Sequence, residues 1–170
     1  MAKGNIIHKL FSAGPLMLLY YLSISEVDAN IEKLFEIFSL NLPIIIIYFW
    51  IIKRPGLMGP GHIFLAGLIN DVVMGFPLGI SSLSYLAVCF VGNYVRNKSV
   101  NTTIASDWFT FLVALFFANL LYFSLLNNFS EVGISYTKIG YNTFFTLFLF
   151  PVFWLLFNLY QMSFIGSQDA

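Results

Sequence analysis

With 170 residues, 59% of them hydrophobic and only 9% charged, the chain has too few polar side chains to cover a water-soluble globule, where roughly a quarter of residues are charged. Eight basic and eight acidic residues cancel, and no basic run exceeds Lys53 and Arg54, which excludes nucleic acid as a partner. The single cysteine, Cys89, has no partner for an internal disulfide and reads as a small apolar residue in a packed helix.

Charge-free runs predict an all-α, polytopic membrane domain over residues 1–170, with six spans at about 10–25, 37–52, 61–76, 80–95, 107–126 and 139–162. Its environment, and its first partner, is membrane lipid. The first span follows Lys3 and Lys9 and ends in Ser23, Ile24 and Ser25, a pattern shared with cleaved signal peptides, but five further spans favour a retained helix. An acidic loop with Glu26, Asp28, Glu32 and Glu36 around Lys33 reads as a solvated outer face. In the second span Pro43 is expected to kink the helix, which must stop at Arg54 and Pro55, where a loop rich in proline and glycine begins. The third span is the weakest, because Asn70 and Asp71 lie inside it and Gly75, Pro77 and Gly79 follow closely. Six spans fit the spacing better than four with a re-entrant pair.

With the N-terminus inside, six basic residues (Lys3, Lys9, Lys53, Arg54, Arg96, Lys98) fall in inner segments and two (Lys33, Lys138) in outer ones, which places both termini in the cytoplasm. Tyr20, Tyr21, Tyr136 and Tyr141 then stand as anchors at the outer boundary, and Trp50, Trp108 and Tyr160 at the inner one.

An ionisable group within a span costs roughly 2.5–3.5 kcal/mol on insertion scales, and Asp71 reads as the only one. Phe64, Gly67, Asp71 and Met74 are spaced for one helix face, and Gly67 admits a second backbone beside the carboxyl. Three roles compete for Asp71: a structural tie to backbone, Asn70 or another helix; a contact with a partner protein; and a proton or ligand site. Near the end of its helix the carboxyl is expected to be protonated and donating. Gly75-Phe76-Pro77-Leu78-Gly79 reads as a sharp turn between antiparallel helices rather than a dimerisation stripe.

No catalytic set emerges. Ser81, Ser82 and Ser84 have no histidine nearby and are expected to bond carbonyls of their own helix. His8 and His62 lack metal-ligand spacing, and no phosphate-binding glycine loop is present, so neither metal nor cofactor is expected. Asn97, Asn101 and Asn128 match the glycosylation triplet, a pattern short enough to arise by chance. Asn119 and Asn158, inside spans, read as interhelical hydrogen-bonders.

The string Phe64, Gly67, Asp71, Gly75, Pro77, Leu78, Gly79 and Leu83, preceded by Tyr48, Trp50, Arg54 and Pro55, resembles the bacterial rod shape-determining MreD family. The likeness covers residues 43–83; beyond Val95 only the hydropathy is similar, and Asn70 stands where that family usually has an apolar residue. The resemblance implies a noncatalytic multi-pass subunit of the bacterial inner membrane. Such a subunit binds MreC, and through it MreB and the wall-synthesis enzymes, to control peptidoglycan elongation and cell shape. It also implies a fold similar to the substrate-binding subunits of energy-coupling-factor transporters, and makes Phe64, Gly67, Asn70, Asp71, Gly75, Pro77, Gly79, Arg54 and Pro55 the candidate structural and partner-coupling residues. The alternative is a small-molecule transporter or substrate-capturing subunit in which Asn70, Asp71, Asn119 and Asn158 converge on a cavity.

Overall fold

The computed structural model describes residues 2–25, 41–98, 103–129 and 136–165, with side chains over 13–25, 41–98, 103–129 and 140–163. The acidic loop at 26–36, the start of the second expected span at 37–40, Asn101, and the side chains of Lys3, His8, Lys9, Tyr136 and Lys138 lie outside the described residues.

Every regular element among the described residues is helical. Among the described residues there are six α-helices: α1 (Ala2–Ile24), α2 (Leu42–Lys53), α3 (Pro60–Met74), α4 (Ile80–Lys98), α5 (Ile104–Phe129) and α6 (Tyr136–Tyr160). A 3₁₀ turn, Pro55–Leu57, leads into α3, and a π turn, Gln161–Ile165, follows α6. Two stretches, Ile104–Phe129 and Gly140–Ser163, are long and apolar enough to cross a membrane; Ala13–Ile24, Leu42–Lys53 and Pro60–Met74 are apolar but shorter.

The bundle is organised around α2. Pro43 through Ile52 are all buried, with no exposed face among ten consecutive residues, as expected of a helix enclosed by others. Phe111 and Phe150 stack on each other at 4.2 Å and both meet Tyr48 edge-on, bringing α5 and α6 onto this axis. Gly92 lets α4 approach, since a Cβ there would stand 3.0 Å from a methyl of Ile51. Pro43 does not kink the helix: it occupies the first turn, where an N–H has no intrahelical acceptor and proline costs nothing. The stop at Arg54 is as expected, with the Arg54 N–H returning to the Trp50 carbonyl at 2.7 Å.

Helices α2 to α6 run alternately between two ends. One holds Asn41, the Gly75–Gly79 turn and Tyr122; the other, the basic end, holds Lys53, His62, Asp107 and Tyr160. The first helix departs from expectation. Tyr20 Oη lies 3.1 Å from His62 Nδ1, and Gly14 sits against the Tyr160 hydroxyl, so both belong to the basic end. At about 1.5 Å per residue, Ile24 reaches only about 6 Å beyond Tyr20, well short of the Met74 end. Tyr20 is therefore not an anchor at the boundary opposite His62; its hydroxyl finds a ring nitrogen, and α1 covers the basic end of α2 and α3.

In α6, Pro151 has no N–H to return to the Leu147 carbonyl. The Trp108 indole takes that acceptor from α5 at 2.9 Å, so this tryptophan closes a broken helical bond in addition to its expected place at a boundary.

Candidate functional site

The sequence-selected residues of α3 and α4 converge on the turn that joins them. Gly75 adopts φ 66°, a left-handed conformation open to glycine, and Gly79 has φ 106°. Behind Gly75, the Phe76 N–H bonds the Asp71 carbonyl at 2.9 Å and the Gly75 N–H bonds Val72 at 3.3 Å, the pair of bonds that closes a Schellman turn. Pro77 occupies the bend between the glycines, half-buried.

The Asp71 side chain continues from there. It is fully buried, and its Oδ2 accepts the Gly79 N–H at 2.8 Å while Oδ1 accepts the Ser81 N–H at 2.8 Å. These N–H groups belong to the unpaired first turn of α4, so Asp71 caps one helix from within another. The expected donor role is corrected: both oxygens accept from backbone N–H groups. The relevant dipole is not the unfavourable C-terminal end of α3 but the favourable N-terminal end of α4. Of the three roles weighed for this carboxyl, the tie to backbone is the one seen.

Close approach makes the cap reachable. A Cβ on Gly67 would stand 2.6 Å from the Ser82 nitrogen, so only glycine allows α3 and α4 to touch here. Ser82 Oγ donates to the Phe64 carbonyl across the same contact at 3.1 Å, and Asn70 Nδ2 donates to Ser81 Oγ at 3.0 Å. The serines thus split: Ser84 bonds its own helix at Ile80, as expected, while Ser81 and Ser82 bond α3. The Phe64 side chain is exposed, so within the stripe it contributes its carbonyl rather than its ring. Arg54 and Pro55 lie at the opposite end of α3 and do not join this site.

Asp107 was missed. It is 3% exposed, so Asp71 is not the only buried carboxylate. Lys53 Nζ stands 3.5 Å from Asp107 Oδ2, the Trp154 indole donates to the same oxygen at 2.9 Å, and Lys53 also lies 5.2 Å over the Trp154 ring. One turn on, the Tyr48 hydroxyl meets that of Thr110. This clasp joins α2, α5 and α6. The available signal was an aspartate at the very start of the fifth expected span, with Lys53 just past the end of the second on the same side.

The expected convergence of four polar residues is met in part. Asn70 and Asn119 line one cavity of about 30 Å³, together with Asn41, Ser81, Ser84 and Tyr85. Asn119 also bonds Thr143 of α6 at 2.9 Å, the interhelical role anticipated for it. Asn158 belongs to the other end of α6 and makes no side-chain hydrogen bond among the described residues. Two larger hollows, of about 420 and 410 Å³, are apolar grooves beside α6. Cys89 is a buried free thiol that accepts from Asn93 at 3.4 Å. No family model matches the chain, and neither a curated protein nor a solved structure matches it.

Proposed function

We propose that this chain is a noncatalytic scaffold subunit of the bacterial inner membrane, related to the MreD proteins. In this reading it crosses the bilayer six times with both termini in the cytoplasm, and its fold is akin to the substrate-binding subunits of energy-coupling-factor transporters. It docks a single-span partner of the MreC kind, and through it MreB and the wall-synthesis enzymes.

The observation that carries the proposal is the double use of Asp71. The residues of the family-like string, Gly67, Asp71, Gly75, Pro77 and Gly79, are the ones that lock α3 to α4, with Asp71 accepting at both 2.8 Å contacts. A carboxylate whose two oxygens are committed to backbone positions helices; it is not held in reserve for a reaction. The size of the polar cavity supports scaffolding over substrate capture, since about 30 Å³ is an order of magnitude below the roughly 300–1,000 Å³ of small-molecule pockets.

The test is copurification with a tagged MreC-type partner from bacterial membranes, alongside the yield of folded protein. Asp71→Leu is expected to lower one or both, while Phe90→Ala, at a residue 74% exposed, leaves both unchanged. Equal partner recovery and equal folded yield for Asp71→Leu and the unmodified chain would remove the support that the carboxylate gives. Reporter fusions placing the two termini on opposite sides of the membrane would end the six-span reading.

A further inference from the structure

The polar cavity beside Asp71 has a lining that calls for a ligand of its own. Its volume of about 30 Å³ admits about two water molecules, each needing roughly 10–15 Å³ of accessible space. Asn41, at 3% exposure, and Tyr85, at 4%, both line it, and neither side chain has a hydrogen-bond partner among the described residues. Buried polar side chains are nearly always paired, with protein or with ordered water. Asn70 and Asn119 each commit one N–H, to Ser81 and Thr143, out of an amide capacity of two donors and two acceptor lone pairs. Tyr122 adds a further hydroxyl, while Ile44, Met74, Phe76 and Ala118 supply apolar wall. Among the described residues no charged side chain lines the space, and the Asp71 oxygens are occupied by backbone N–H groups, so the chemistry suits a neutral ligand that both donates and accepts.

We infer that this cavity is an internal water site, in which a pair of bound waters bridges Asn41, Asn70, Tyr85, Asn119 and Tyr122. These residues lie on or at the head of α2, α3, α4 and α5, and Asn119 passes the network to α6 through Thr143. The waters thus add a link to α2 and α5 beside the direct bonds that already join α3 to α4 and α5 to α6. The inference does not depend on the scaffold reading, and its experiment involves no partner protein.

Radiolytic hydroxyl-radical footprinting of the full chain in detergent tests it directly, because radicals generated from bound water oxidise adjacent side chains. Tyr85 and Tyr48 form an internal comparison, both buried and only Tyr85 on the cavity. Tyr85 is expected to be oxidised several-fold faster than Tyr48; equal or slower oxidation overturns the inference. Tyr85→Phe gives a second reading by sign. A hydroxyl bonded to water makes its removal lower the thermal midpoint, whereas a hydroxyl buried unpaired makes its removal raise it, and a raised midpoint also overturns the inference. If the variant does not fold, the footprint of the unmodified chain decides.

Discussion

The two carboxylates buried among the described residues, Asp71 and Asp107, sit at opposite ends of one bundle and are stabilised in different ways. Asp71 meets no cation among its bonded partners; two backbone N–H groups of the next helix, eight and ten residues away, donate to its oxygens. Asp107 meets Lys53 and the Trp154 indole, which come from helices distant in sequence. A carboxylate held by backbone depends on the path of the main chain, whereas one held by side chains depends on which residues occupy the facing helices. The first arrangement has no substitute partner, while the second can be exchanged as a set.

That contrast is open to experiment, beginning at the turn end. Gly67→Leu is expected to have the largest effect, because its Cβ would fall 2.6 Å from the Ser82 backbone nitrogen, which cannot rotate aside. The penalty should exceed the about 1–3 kcal/mol of ordinary overpacking, read as loss of monodisperse protein in size-exclusion chromatography. Next comes the basic end. Lys53→Met leaves Asp107 buried without its cation and should cost about 3–5 kcal/mol, followed as a fall in thermal midpoint. The double variant Lys53→Met with Asp107→Leu should recover much of that loss, since well-packed apolar residues often replace a buried pair at little cost. A double variant no better than the single one would mean that the two ends do not differ in kind. Asp71→Asn is the mildest change. It keeps the shape but sets an NH₂ against one N–H of α4, for a loss of about 1.5–3 kcal/mol by the same thermal measurement.

The turn and the Gly67–Asp71 face were legible because their partners are local. Glycines at 75 and 79, a proline between them and a carboxyl one turn earlier specify the α3–α4 corner within a single short window. Even there the direction of the hydrogen bonds was misread, because the sequence of α3 alone does not reveal that the carboxyl lies against the N-terminus of α4. Asp107 escaped notice because a charge at the margin of an apolar run resembles an interfacial residue until Lys53 and Trp154 are brought beside it. The same holds for Trp108, whose acceptor exists only because Pro151 releases the Leu147 carbonyl. Tyr20 was assigned to the wrong end since span counting fixes an order of helices but not how far along its neighbours each one slides. The complete burial of α2 was likewise hidden: its apolar run suits an enclosed helix as well as one against lipid, and periodicity does not separate the two.

The short reach of the Asp71 bonds also sets when its charge is sheltered during synthesis. At roughly 5–20 residues per second, Gly79 and Ser81 emerge from the ribosome within about two seconds of Asp71. The α3–α4 hairpin is then able to form with its carboxylate already covered. Asp107, which pairs with Lys53, is by contrast translated only after that hairpin is complete. The clasp between Lys53 and Asp107 therefore closes only once the fifth helix arrives.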